Sequence, residues 1–336
     1  MTCFPVKLPD DLASFPDISI EYQLELVILY ACTVPIGMYE MSSQEFGGPW
    51  TEEKLGRLRK YLNAYMMIFA RNVQASWFKT MYLDAFAGSG YRSSPTGRLD
   101  QSELDLFADL AADTDATGLY DGSPRIALGL DNPFSRYLFI ENDPAHAARL
   151  DRLVKEEFKH LDVTVQVADA NQYIQQWCQD IDWTQWRSVV FLDPYGMQVE
   201  WTTIETIGRT QAIDMWLLFP LGHGVNRLLT RSGPPNESWA RRLTTMLGTE
   251  TWREAFYKES MQSDLFDADP RVEKDASWDS ISEFFIDRLS TCFAAVAKPL
   301  ALRNSKGVPI FLLCFAAGNP KGAKTAVKIA NEILKP

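Results

Sequence analysis

The chain has 336 residues and a formal charge of −11, with aromatic and apolar contents ordinary for a globular protein. That length buries one large core or two modest ones, and the composition excludes wholesale disorder. The acidity argues against a surface built for nonspecific nucleic-acid binding. Local reversals remain: residues 51–98 carry eight Lys and Arg against three acids, and residues 291–336 carry seven against one.

The five cysteines (Cys3, Cys32, Cys178, Cys292, Cys314) form no CxxC pair, which suits free, mostly buried thiols in a reducing compartment. The apolar stretch "LVILYACTVPIGM" is too short to span a bilayer and contains a proline. No basic segment followed by an apolar run opens the chain, so the expectation is a cytoplasmic protein with no membrane partner.

Residues 1–50 mix extended and helical cues. "TEEKLGRLRKYLNAYMMIFARN" predicts a helix with Thr51 as its cap. Leu55, Leu58, Leu62, Tyr65, Met66 and Phe69 recur on one face at helical spacing. Residues 1–78 thus read as an N-terminal helical extension and residues 79–336 as an α/β domain. "KTMYLDAF" is a buried strand. Residues 93–121 are acidic and read as an insertion. "GSPRIALGL" starts a helix, with Ser123 as cap and Pro124 in the first turn.

Strands and helices then alternate. "RYLFIE", "VTVQVAD", "SVVFLDPYG" and "AIDMWLLFPL" are strands, separated by helices in "DPAHAARLDRLVKEEFKHL", "ANQYIQQWCQDI" and "EWTTIETIG". This rhythm predicts a largely parallel, doubly wound sheet. Residues 224–280 interrupt it as a helical cover with helices around "WARRLTTML" and "TWREAFYKES". A helix in "ISEFFIDRLSTCFAAV", strands near "PLALRN" and "VPIFLLCFAAGN", and a helix in "AKTAVKIANEILK" close the chain.

Ligands of such sheets gather at the carboxyl ends of the strands. Asp84, Glu141, Asp169 and Asp193 all fall at or just beyond strand ends. The turn "LDAFAGSG" holds Gly88 and Gly90, but Ser93 stands where a dinucleotide fingerprint wants its third glycine, and no Lys completes a P-loop. S-adenosylmethionine, which has no phosphate, fits better. Gly88, Gly90 and the neighbouring Phe86 would admit its methionine portion, Asp84 would meet its ammonium, Glu141 its ribose diol and Asp169 its adenine amine. "DPYG" then places Asp193, Pro194 and Tyr195 where a carboxylate, a carbonyl and an aromatic ring could orient an exocyclic amine. It resembles the [DNS]PP[YF] signature of amine methyltransferases, with the second proline missing and Gly196 following Tyr195. His146, His160 and His223 lack metal-ligand spacing, and no GxSxG occurs.

The order of "TEEKLGRLRKYL", "YLDAFAGSGYR", "GSPRIAL", "LFIENDP", "FLDPYG", "LLFPLGHGVNR" and "PIFLLCFAAGNPKGAKTAVKIANEI" resembles the three-Cys-motif partner (TcmP) family, which is similar to class I S-adenosylmethionine-dependent methyltransferases. The resemblance implies a Rossmann-like methyltransferase domain in residues 79–336, with insertions near 93–121 and 224–280. It also implies a partner protein carrying a three-cysteine motif. Asp84, Gly88, Gly90 and Glu141 carry over as cofactor residues, Asp193 and Tyr195 as target-site residues, and Asn226 and Arg227 as a substrate-side motif. Where family members often carry Lys-His, this chain keeps Lys54 and continues with Leu55. Three functions follow: methyl transfer to an amine of a nucleic acid or nucleotide, an accessory subunit of the three-cysteine protein, or a nicotinamide-dependent oxidoreductase.

Overall fold

The computed structural model describes residues 49–89, 122–231, 233–259 and 272–335. Gly90, the expected insertion at 93–121, residues 1–48 with Cys3 and Cys32, and the acidic loop after residue 259 lie outside the described residues.

The first helix, α1 (Pro49–Arg71), begins before the expected cap. Proline's fixed φ suits a first helical position, so Thr51 lies inside the first turn. Leu55, Leu58, Leu62, Tyr65 and Met66 are buried as their spacing predicts, and Tyr61 joins them. Tyr61 packs on Trp216 and Phe315 of the sheet, at centroid distances of 5.2 and 4.8 Å.

The central sheet takes β1 (Lys79–Asp84), β2 (Arg136–Glu141), β3 (Val163–Val167), β4 (Trp186–Leu192) and β5 (Ile213–Phe219) in the order 3-2-1-4-5, all parallel. Every residue of β5 is buried, the expected result for a parallel strand covered on both faces. The crossovers carry α2 (Ser123–Leu128), α3 (Pro144–Glu157), α4 (Ala170–Asp180) and α5 (Trp201–Arg209). The order reverses between β1 and β4, the crevice where open α/β sheets bind ligands.

Two expected details differ. Ser123 is the first helical residue of α2, with Gly122 at the cap position and no side-chain cap bond. "TWREAFYKES" is helical only over α7 (Trp252–Phe256), which follows α6 (Glu237–Leu247). Tyr257–Glu259 forms β6 and pairs antiparallel with β7 (Val272–Lys274). Helix α8 (Trp278–Ser290), short β8 (Ala295–Val296), β9 (Leu300–Arg303), β10 (Pro309–Ala317) and α9 (Ala323–Ile333) follow. Strand β10 lies antiparallel against β5 and carries β8 and β9 on its far side. Among the described residues, no helix is long and apolar enough to cross a membrane.

Candidate functional site

Asp84 ends β1, Glu141 ends β2, Asp193 follows β4 by one residue, and Asp169 follows β3 by two. The strands β2, β1 and β4 are neighbours, so the first three of these acids share one stretch of sheet rim. Backbone bonds carry the turn across that rim: Ala85 N–H donates to Phe191 O of β4 at 3.2 Å, and Ala87 N–H donates to Ile140 O of β2 at 3.0 Å. Gly88 then adopts φ +61°, a left-handed conformation natural to glycine. Among the described residues, a Cβ built there meets nothing within 4 Å.

Glu141 braces this turn. Its Oε2 accepts from Gly88 N–H and its Oε1 from Asp143 N–H, both at 2.8 Å. Each carboxylate oxygen keeps a second acceptor site. Asp169 is exposed and caps α4 by accepting from Gln172 N–H at 2.9 Å. Phe86 is half-buried, and its N–H donates to Asp84 Oδ1 at 3.3 Å.

Asp84 itself is fully buried, and its Oδ2 has no hydrogen-bond partner among the described residues. Burial raises its carboxyl to about 7, and the charge of Asp193 pushes in the same direction. The Ser123 hydroxyl, the Phe86 N–H and Lys54 oppose the rise. The site therefore holds a carboxyl poised to titrate near neutrality, with an oxygen free for a donor.

A residue that sequence reasoning left without a role completes the rim. Lys54, from the first turns of α1, ion-pairs with Asp193 Oδ2. Its side chain is 5% exposed, and its ammonium lies 5.3 Å from the Trp50 ring centroid. The helical period of α1 places residue 54 beside the buried stripe, but nothing local names a partner 139 residues away.

Beyond Asp193, Pro194 O accepts from Gly196 N–H at 2.9 Å, and Gly196 takes φ +85°. The glycine thus lets the chain fold back where the amine-methyltransferase signature would continue. Tyr195 N–H donates to Gln198 Oε1 at 3.0 Å, while its side chain stays accessible, the residue being 37% exposed. Burial of the phenolic end, and then the Asp193 charge, push its hydroxyl up to about 12, so it remains protonated at neutral pH.

After β5 comes a single π-helical turn, Leu221–Asn226, a form concentrated at functional sites. Gly224 lies against Met197 closely enough that a Cβ would sit 3.0 Å from its Cγ. The turn therefore abuts the segment that starts at Asp193. Asn226, at its end, accepts from Lys274 Nζ through both O (2.9 Å) and Oδ1 (2.6 Å). Arg227 follows and is exposed.

Cys178 and Cys314 are buried free thiols, pushed up to about 12 in the case of Cys178, and are inert at neutral pH. Among the described residues, no group of three His, Cys, Asp or Glu stands together as metal ligands.

The strand order 3-2-1-4-5, the antiparallel strand after β5 and the glycine turn after β1 define a Rossmann-like fold of the class I methyltransferase kind. No protein-family model matches the chain, and no curated protein matches it. The chain is similar to a Legionella pneumophila protein, LPL1258, of family model DUF519. The two share 15% identity and a TM-score of 0.45, over 86% of this chain and 92% of that one. It is also similar to a putative S-adenosylmethionine-dependent methyltransferase of Listeria monocytogenes, at 10% identity and TM-score 0.32, over 79% and 99% of the two chains. A third likeness is to the N-terminal domain of EvdMO1 with S-adenosylhomocysteine bound, at 10% identity and TM-score 0.34, over 79% and 84%. These likenesses are loose, and the fold assignment stands on the strand order.

Proposed function

We propose that this chain is an S-adenosylmethionine-dependent methyltransferase of the TcmP kind, working with a three-cysteine-motif protein and acting on an amine of a nucleotide or nucleic acid. One observation carries the reading. Asp84, Gly88, Glu141 and the Lys54-held Asp193 occupy one rim at the crevice where the strand order reverses. The residues fit the cofactor: a buried carboxylate oxygen with no hydrogen-bond partner among the described residues suits an ammonium, and Glu141 retains acceptor sites for a ribose diol. Asp169 would meet the adenine edge only with the oxygen its cap does not use.

When bound, the cofactor supplies a methyl group on a sulfonium. Asp193 has Oδ2 committed to Lys54, which leaves Oδ1 to accept an amine N–H and aim the nitrogen lone pair. Pro194 O keeps a second acceptor site for the other N–H. Tyr195 offers a ring for stacking a base. Catalysis of this kind is chiefly orientation, which for a well-oriented pair contributes about 7–11 kcal/mol.

Calorimetric titration with S-adenosylhomocysteine tests the cofactor assignment: the wild type binds, and Asp84→Ala and Glu141→Ala weaken binding. Absence of heat, with and without the partner, overturns it. Radiolabelled methyl transfer tests the rest: Asp193→Ala keeps cofactor binding and loses transfer. If the three-cysteine protein is instead activated equally by wild type and Asp193→Ala, the chain is an accessory subunit.

A further inference from the structure

The ion pair of Lys54 with Asp193 joins α1 to the chain just after β4. It is wedged into the molecule rather than laid on its surface. The Lys54 ammonium lies 5.3 Å from the Trp50 ring centroid, and Trp50 packs on Phe311 of β10 with centroids 5.1 Å apart. The Lys54 side chain is 5% exposed and that of Asp193 23%. The carboxylate is therefore the member of the pair that an incoming group can reach, and the ammonium is the shielded one.

A lone carboxylate in a partly buried site draws cations, because little water screens the attraction. Pairing changes what this one can hold. A cation reaching Asp193 meets the pull of the carboxylate and the push of Lys54 at similar range, and the two largely cancel. A neutral N–H needs only a lone pair, and the oxygen that Lys54 does not engage still offers its own. The pair is thus a neutral acceptor, where Asp193 alone would be an anionic one. Amines divide along the same line. An alkylamine is a cation at neutral pH, as a lysine side chain is. An exocyclic amine on an aromatic base is uncharged, because its lone pair is delocalised into the ring.

We propose that Lys54 is a specificity-determining residue: by neutralising Asp193 from within α1, it makes the acceptor end of the rim take an uncharged aromatic amine and turn away alkylammonium groups, such as a lysine side chain or a polyamine. The inference rests on the methyltransferase reading for the place of the acceptor. It goes beyond that reading in giving the selection to a residue that the acceptor need not touch.

The experiment titrates the full-length protein calorimetrically with two ligands, S-adenosylhomocysteine and sinefungin. In sinefungin a carbon bearing an ammonium replaces the methylated sulfur, which puts an alkylammonium at the point of methyl delivery. The ratio of the two affinities is the readout, since damage to the fold or to the shared cofactor contacts moves both together. Lys54→Met bares the carboxylate and should raise sinefungin affinity relative to S-adenosylhomocysteine about tenfold. Asp193→Asn leaves the lysine charge uncancelled and should lower the same ratio about tenfold. The double variant strands no charge and should return to within about twofold of the wild-type ratio. If Lys54→Met does not fold, Asp193→Asn and the double variant still decide the matter. Single variants that fold and keep the wild-type ratio overturn the proposal and leave the pair a purely structural contact. Wild-type protein that binds neither ligand removes the methyltransferase reading and this inference with it, so the two failures are told apart.

Discussion

Lys54 and Asp193 are the pair on which the site turns. Lys54 is almost wholly buried, so removing its carboxylate partner strands a charge away from water. Asp193→Ala should therefore lower the unfolding free energy by about 3 kcal/mol, far more than an exposed pair would. Asp193→Asn, which keeps an acceptor oxygen, should cost less; urea unfolding midpoints of the two variants check this. Asp84 makes a second residue-level prediction. Its carboxyl sits near 7 because it is buried, and it must be ionised to hold an ammonium. Affinity for S-adenosylhomocysteine should fall about tenfold per pH unit below 7, with proton uptake or release visible in buffers of different ionisation enthalpy. Asp84→Asn should bind weakly and without that slope. The acids were legible in the sequence because apolar runs mark where strands end, and each acid closes one. Lys54 was not, because its partner is 139 residues away and only the folded sheet joins them. The same holds for Asn226 and Lys274, separated by 48 residues.

At the scale of elements, the alternation of strands and helices was readable from β1 to β5 because each is a run of uniform period. Cap assignments fared worse. Thr51 and Ser123 are good capping types, yet Pro49 starts α1 earlier, and Ser123 sits inside α2 with its hydroxyl beside Asp84. The segment of β6 was expected to be helical because three residues carry no period, and their pairing partners in β7 come more than ten residues later. The glycine turn gives a sharper test. Gly88 has φ +61°, and Gly88→Ala clashes with nothing among the described residues. Its cost to stability should be only about 1 kcal/mol of backbone strain. On the proposed cofactor reading its Cβ would meet the ligand, so cofactor affinity should fall by at least about tenfold while the melting temperature changes little; calorimetry and thermal unfolding on the same sample separate the two effects.

Over the whole molecule, two buried acids set the pH response of stability from opposite ends of the sheet. Asp84 ends β1, and Asp214 lies near the start of β5, where Tyr61 Oη donates to it at 2.8 Å and Gly318 N–H at 3.2 Å. Burial raises Asp84 to about 7 and Asp214 to about 6. Both bind their proton more tightly folded than unfolded. Their contribution is therefore full below the ordinary carboxylate range and is lost as pH rises through about 4 to 7, by up to about 1.4 kcal/mol per pH unit for each acid. Above that window it is flat. Denaturant unfolding from pH 5 to 8 should show this fall, and Asp84→Asn should remove the upper part of it.

Arg57, one turn beyond Lys54, donates through Nη1 to the carbonyl of Lys335, at 2.8 Å, and to that of Ile333. Helix α1 is thus fastened at once to a mid-chain loop and to residues synthesised 276 positions after it. During translation, a ribosome delivers α1 long before either of its anchors. Its ammonium and guanidinium must stay hydrated until β4 and then α9 emerge. The anchoring of α1 is consequently completed late, by the same event that brings the two far-apart stretches of polypeptide into register.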